Sequence, residues 1–108
     1  MKNNTAMAIE LVTFNTKPEF DQREVKASLE SLNAIVSTYK GFISRQLARN
    51  EDGKWMDLVF WESMEDAHAA AEAIMKLEAA QMAFRVIDEQ TMSFHHFKPV
   101  SRYPLRYE

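Results

Sequence analysis

The chain contains no cysteine. That excludes a disulfide framework, a thiolate nucleophile and a Cys-ligated metal, and it gives no sign of secretion. Glycine is almost as scarce. Gly41 and Gly53 are the only two, and each falls at a turn, so there is no Gly-rich loop for a Rossmann or P-loop nucleotide site. No apolar run approaches the ~20 residues that a membrane span needs. The polar start, Met1 to Thr5, leads into a strand-like run and is unlike a signal peptide. Basic charge is not in excess either: the formal net charge is -3, which argues against a nucleic-acid partner. What is present is an ordinary globular balance, 46% hydrophobic and 27% charged over 108 residues, enough for one domain with one core. The expectation is a soluble cytoplasmic protein with no membrane or nucleic-acid partner.

Residues 7–15, with Ile9, Leu11, Val12 and Phe14, suit a strand. Asp21 with Glu24 forms a capping-box pattern, with Phe20 and Val25 at the staple positions; Pro18 offers a competing start. Val25, Leu29, Leu32, Val36 and Tyr39 then make one helical stripe, ended by Lys40-Gly41. Strand-like runs at 42–49 and 54–61 flank the hairpin loop Asn50-Glu51-Asp52-Gly53. Ser63 with Asp66 caps an Ala-rich helical region that continues through Ile74, Leu77, Met82 and Phe84, either as one helix or as a long and a short one. Thr91 to Phe97 is the last strand. Residues 98–108 are an aromatic-basic extension to a core of about 7–97.

The order βαββαβ is the ferredoxin-like split unit, an α+β fold: a four-stranded antiparallel sheet of order 4-1-3-2 with two helices on one face. In the third strand Met56, Leu58 and Phe60 form one apolar set, expected under the helices. Alternation then sends Trp55, Asp57, Val59 and Trp61 to the helix-free side. Burying each tryptophan is worth about 4–6 kcal/mol, so that face should be covered, most simply by a second copy of the chain. Tyr103 and Tyr107 of the extension could add to such an interface.

Lys17-Pro18 after strand one, Lys40-Gly41-Phe42 before strand two and Trp61-Glu62-Ser63 after strand three resemble the antibiotic biosynthesis monooxygenase (ABM) family of dimeric α/β barrels. The resemblance implies a two-fold dimer whose sheets close around an interior pocket. It also implies a choice of activities: cofactor-independent oxygenation of phenolic or quinol substrates, heme degradation, or no catalysis. Trp61-Glu62-Ser63 itself has a structural explanation, with Trp61 packing at a strand end and Ser63 capping the next helix. The heme-degrading pattern is not met: Leu11 and Ala70 stand at its Asn and Trp positions, and no histidine lies between His68 and His95. Gln81 stands where quinol-oxidising relatives carry a histidine, and glutamine cannot be a general base.

His95 and His96 are adjacent on a strand and point to opposite faces, so they cannot share a metal. If Met92 and Phe94 join the helix-side core, His95 faces the barrel interior together with Asp57, either as a base with its orienter or as a buried, hydrogen-bonded histidine that stabilises a dimer. Trp55 and Trp61 are the expected walls of a substrate pocket. Glu10 and Arg45 are further binding candidates, either as interior ion-pair formers or as charges where the sheet edge meets water. With a sheet spacing of ~4.8 Å, Asp57 and His95 lie two strands and roughly 10 Å apart, and Glu10 on the intervening strand is the nearer partner. Glu65, His68 and Glu72 at i, i+3 and i+7 suit a solvated helix face better than a metal, and the methionines suit core packing. The expectation is a protein without metal or cofactor. What the resemblance implies is a homodimer that acts as a cofactor-independent monooxygenase of aromatic or quinol-like molecules, or alternatively a non-catalytic small-molecule-binding or structural dimer.

Overall fold

A computed structural model describes residues 6–104; Met1 to Thr5 and Tyr107 of the sequence expectations lie outside the described residues. The strands are β1 (Ala8–Thr16), β2 (Phe42–Arg49), β3 (Trp55–Trp61) and β4 (Ile87–Phe97). Four helical segments, α1 (Gln22–Glu30), α2 (Leu32–Val36), α3 (Met64–Ile74) and α4 (Glu78–Phe84), complete the order β1-α1-α2-β2-β3-α3-α4-β4. The sheet is antiparallel with order β2-β3-β1-β4, which is the ferredoxin-like α+β arrangement.

Local chemistry sets the element ends. At α1 the Asp21 carboxylate accepts from the Glu24 amide at 2.8 Å while Glu24 accepts from the Asp21 amide at 2.9 Å, a reciprocal capping box. At α3 the Ser63 hydroxyl accepts from the Asp66 amide at 3.0 Å. Gly41 has φ +87°, a conformation that glycine takes without steric cost. It is also tightly covered, since a Cβ there would stand 2.3 Å from Asp66 Oδ2. The two expected helices are each divided. The first breaks only mildly at Ser31, whose backbone stays helical. The second breaks at Met75 to Leu77, where Leu77 is extended, so a long helix is followed by a short one. Strand β4 also begins earlier than the Thr91 expected, at Ile87, with a register irregularity against β1 between Thr13 and Asn15.

The helices cover one face, and the faces of β3 are the reverse of the sequence expectation. Trp55, Asp57, Val59 and Trp61 lie under the helices, opposite Phe14, Val12, Glu10 and Ala8 of β1. Trp55, Val59 and Trp61 are buried there. Met56, Leu58 and Phe60 point to the helix-free side with Thr13, Leu11 and Ile9. Both sets are apolar enough to be buried, so alternation alone carried no contrast. The set Met56, Leu58 and Phe60 is wholly apolar, whereas the buried set includes Asp57, whose charge is met inside by Arg45.

Two apolar clusters fill the layer between sheet and helices. One gathers Trp61 and Val59 with Leu32, Val36 and the small residues Ala67 and Ala70 of α3, which let that helix approach the indole. The other gathers Phe14, Val12 and Trp55 with Val25, Leu29 and Val86. Phe84 packs against both. Among the described residues no helix is long and apolar enough to cross a membrane.

Candidate functional site

The two clusters leave space along their seam. A cavity of about 220 Å³ lies there, between the sheet and the helices, with apolar walls that include Val12, Phe14, Leu32, Val36, Val59 and Ile74. Of the charged residues that line it, three come from adjacent strands: Glu10 of β1, Asp57 of β3 and Arg45 of β2. Met75, Glu89, Met92 and Phe94 also line it and are exposed, so the entrance lies where the α3–α4 break faces β4.

Arg45 and Asp57 form a two-pronged pair, Nε to Oδ1 at 3.0 Å and Nη2 to Oδ2 at 2.7 Å. Arg45 Nη1 donates further to the Leu29 carbonyl at 2.9 Å and to Asn33 Oδ1 at 2.8 Å. The guanidinium thus ties β2 to β3 and to the α1–α2 segment, with four of its five N–H donors bonded to the protein. Glu10 has no such cation of its own. Burial pushes its carboxyl up from 4.5 to about 7, and the Asp57 carboxylate pushes the same way; the Trp61 indole and Arg45 pull in the opposite direction more weakly. The indole N–H of Trp61 favours the charged form of Glu10 without closing a hydrogen bond of full geometry. Behind Glu10 stands His96 of β4, its Nε2 3.4 Å from Oε1. Burial, and then His68, hold the His96 ring below its ordinary 6.5.

The residues expected from sequence are therefore divided. Glu10, Arg45 and Asp57 come together at the cavity. His95 does face the helix-free side, opposite Leu11, but Asp57 is on the other face, so the expected His95–Asp57 pair does not form. His95 is exposed, with its ring 6.0 Å from that of Phe97. Trp55 and Trp61 face the helices rather than the helix-free side and flank the cavity without lining it. Trp55 lies under the Arg49 guanidinium, and Trp61 meets Phe42 edge-on at 5.9 Å. The pocket under the helices also replaces the one expected on the helix-free face. Asn33, His96 and His68 were not among the expected site residues. The parity of Ala8, Glu10, Val12 and Phe14 was a usable signal for Glu10, and by pairing for His96. Among the described residues no group of three or more His, Asp or Glu is placed to hold a metal ion.

The profile of the antibiotic biosynthesis monooxygenase family matches residues 7–81. No functionally curated protein matches the chain in sequence. Among solved structures, SnoaB, a cofactor-independent oxygenase from Streptomyces nogalater, superposes with a TM-score of 0.75 at 15% identity, covering 93% of this chain and 99% of that one. Rv0793 from Mycobacterium tuberculosis gives 0.70 at 12% identity, covering 89% and 97%. A dimeric ferredoxin-like protein from an uncultured marine organism gives 0.67 at 13%, covering 96% of both chains. At these identities the likeness is one of fold.

Proposed function

This chain belongs to the antibiotic biosynthesis monooxygenase family, and we propose that it is a cofactor-independent monooxygenase acting on an aromatic, quinol-like molecule in the cavity beneath the helices. The observation that carries the reading is the placement of a carboxyl group, Glu10, at an apolar cavity that the Asp57 carboxylate also lines; burial and that neighbour push it up to about 7. A base with that proton affinity is half-ionised near neutrality and has a proton-transfer driving force matched to a phenol or an activated ring C–H. In its carboxylate form Glu10 takes the proton, leaving an electron-rich anion that reduces dioxygen. The new C–O bond gives a peroxide anion, which takes up a solvent proton in place of the one given to Glu10; the resulting hydroperoxide loses water to leave a carbonyl, so one oxygen atom enters the product and the other leaves as water. The apolar walls accommodate the ring and exclude bulk water from the peroxide. The Arg45–Asp57 pair forms the polar end of the cavity, and Asp57 keeps Glu10 basic. SnoaB, of the same fold, is a cofactor-independent oxygenase, which supports the reaction class.

The same reading includes a homodimer. On the helix-free face Ile9, Leu11, Leu58, Phe60 and Phe97 are neighbours in the β-sheet register. Such an apolar surface calls for cover, and a neighbour of the same fold is dimeric. Sheet-to-sheet contact of two copies would place His95 at the interface.

The test is oxygen uptake with 1,4-dihydroxynaphthalene, a bicyclic quinol, corrected for its spontaneous oxidation. Protein-dependent uptake that is lost in Glu10→Gln supports the assignment. Saturable binding of the quinol with no uptake would favour the non-catalytic ligand-binding dimer instead.

A further inference from the structure

Glu10 connects the cavity to a second group of titratable side chains. It stands directly opposite His96 in the β1–β4 register, with Oε1 3.4 Å from Nε2. The His96 ring is held between two others: His68 of α3, edge-on at 4.6 Å, and Phe94, at 5.1 Å. Exposure rises along this line. The Glu10 and His96 side chains are 14% and 16% exposed, and His68 lies on the surface. A carboxyl at the cavity is thus joined to an imidazole at the boundary, next to a second imidazole in water.

We propose that His96 is the proton exit of Glu10, accepting at Nε2 the proton that Glu10 collects in the cavity and releasing another from Nδ1 to solvent, while His68 fixes its ring. The proposal rests on Glu10 being the base of the reaction above. His96 does not line the cavity, so it acts through Glu10 as a positioning and relay residue. In the transfer the Oε1–H bond breaks as Nε2–H forms. The imidazolium then loses its Nδ1 proton to water, and exchange with water restores the first tautomer. Glu10 is left as a carboxylate, ready for the next turnover.

The surrounding charges suit this transfer. Glu10 is faced by Asp57 of β3, Arg45 of β2 and His96 of β4; His96 is faced by Glu10 and by His68 of α3. Burial raises the carboxyl and lowers the imidazole, which narrows the usual gap in proton affinity between them.

The relay can be read without turnover, by carboxyl-carbon NMR of glutamate-labelled protein, with Glu10→Gln identifying the Glu10 signal. His96→Gln keeps a polar partner that does not titrate. The wild-type Glu10 signal is expected to move through its midpoint as one sharp line. In His96→Gln, exchange slowed roughly tenfold or more should broaden it near the midpoint, and added imidazole should sharpen it again. An unchanged line shape in His96→Gln overturns the proposal. If that variant does not fold, His68→Ala on the helix surface gives the second reading: partial broadening supports the relay and no change opposes it. Oxygen uptake is scored separately, so an inactive protein with an intact relay contrast defeats the functional reading and leaves the proton path standing.

Discussion

Arg45 and Asp57 clasp each other across β2 and β3 through two hydrogen bonds, with their side chains only 4% and 14% exposed. The pair sits at the cavity, ties the sheet to the α1–α2 segment through Leu29 and Asn33, and sets the electrostatic surroundings of Glu10.

Breaking the pair from one side should be costly. Asp57→Asn strands a buried guanidinium, for which a loss of about 3 kcal/mol is expected. Replacing both, Arg45→Met with Asp57→Leu, should recover most of that loss. Urea unfolding of the single and double variants measures the difference, and equal destabilisation in both would show that the interaction is not what stabilises the region.

Glu10 should make stability fall as pH rises. Its folded value, about 7, lies above the ordinary 4.5, so the folded state holds the proton more tightly. The resulting contribution is fully present below about pH 4.5, declines through the interval and is gone above pH 7. A shift of that size corresponds to roughly 3 kcal/mol. Unfolding free energies of wild type and Glu10→Gln across pH 4 to 8 should therefore diverge, the wild type losing this increment and the variant not.

Two glycines with the same φ separate backbone strain from crowding. Gly53→Ala has open space for its Cβ and should cost about 1–2 kcal/mol, the price of a left-handed alanine. Gly41→Ala adds a collision with Asp66 in the first turn of α3 and should lose distinctly more. Thermal unfolding of the two variants gives the comparison.

Leu58→Glu should divide the proposed dimer. Leu58 pairs with Leu11 on the helix-free face, where a charge buried by a second copy would be unpaired. Light scattering should give twice the 12.6 kDa chain mass for wild type and the chain mass for the variant. A monomeric wild type would refute the interface.

The sequence was most legible where the cause is local. Asp21 with Glu24, Ser63 with Asp66, and the two positive-φ glycines all act within a few residues, and right-handed connections then lead to the β2-β3-β1-β4 sheet. The face of β3 was not legible, because Met56, Leu58 and Phe60 compete with Trp55, Val59 and Trp61 as core candidates. The deciding partner of Asp57 is Arg45, on another strand. The same inversion misplaced the cavity and paired Asp57 with a histidine of the other face, His95. Glu10 was legible as a strand charge that could lie inside or at the sheet edge, but its partner His96 becomes visible only through the β1–β4 register, and His68 only through the packing of α3 on β4.

The most direct test of Glu10 as the base is the pH profile of oxygen uptake with 1,4-dihydroxynaphthalene, in wild type and Glu10→Gln. The account predicts a wild-type rate that rises with pH around a midpoint near the raised value of about 7 and a loss of about 10²-fold or more in the variant. A variant that matches wild type in rate and profile would contradict it.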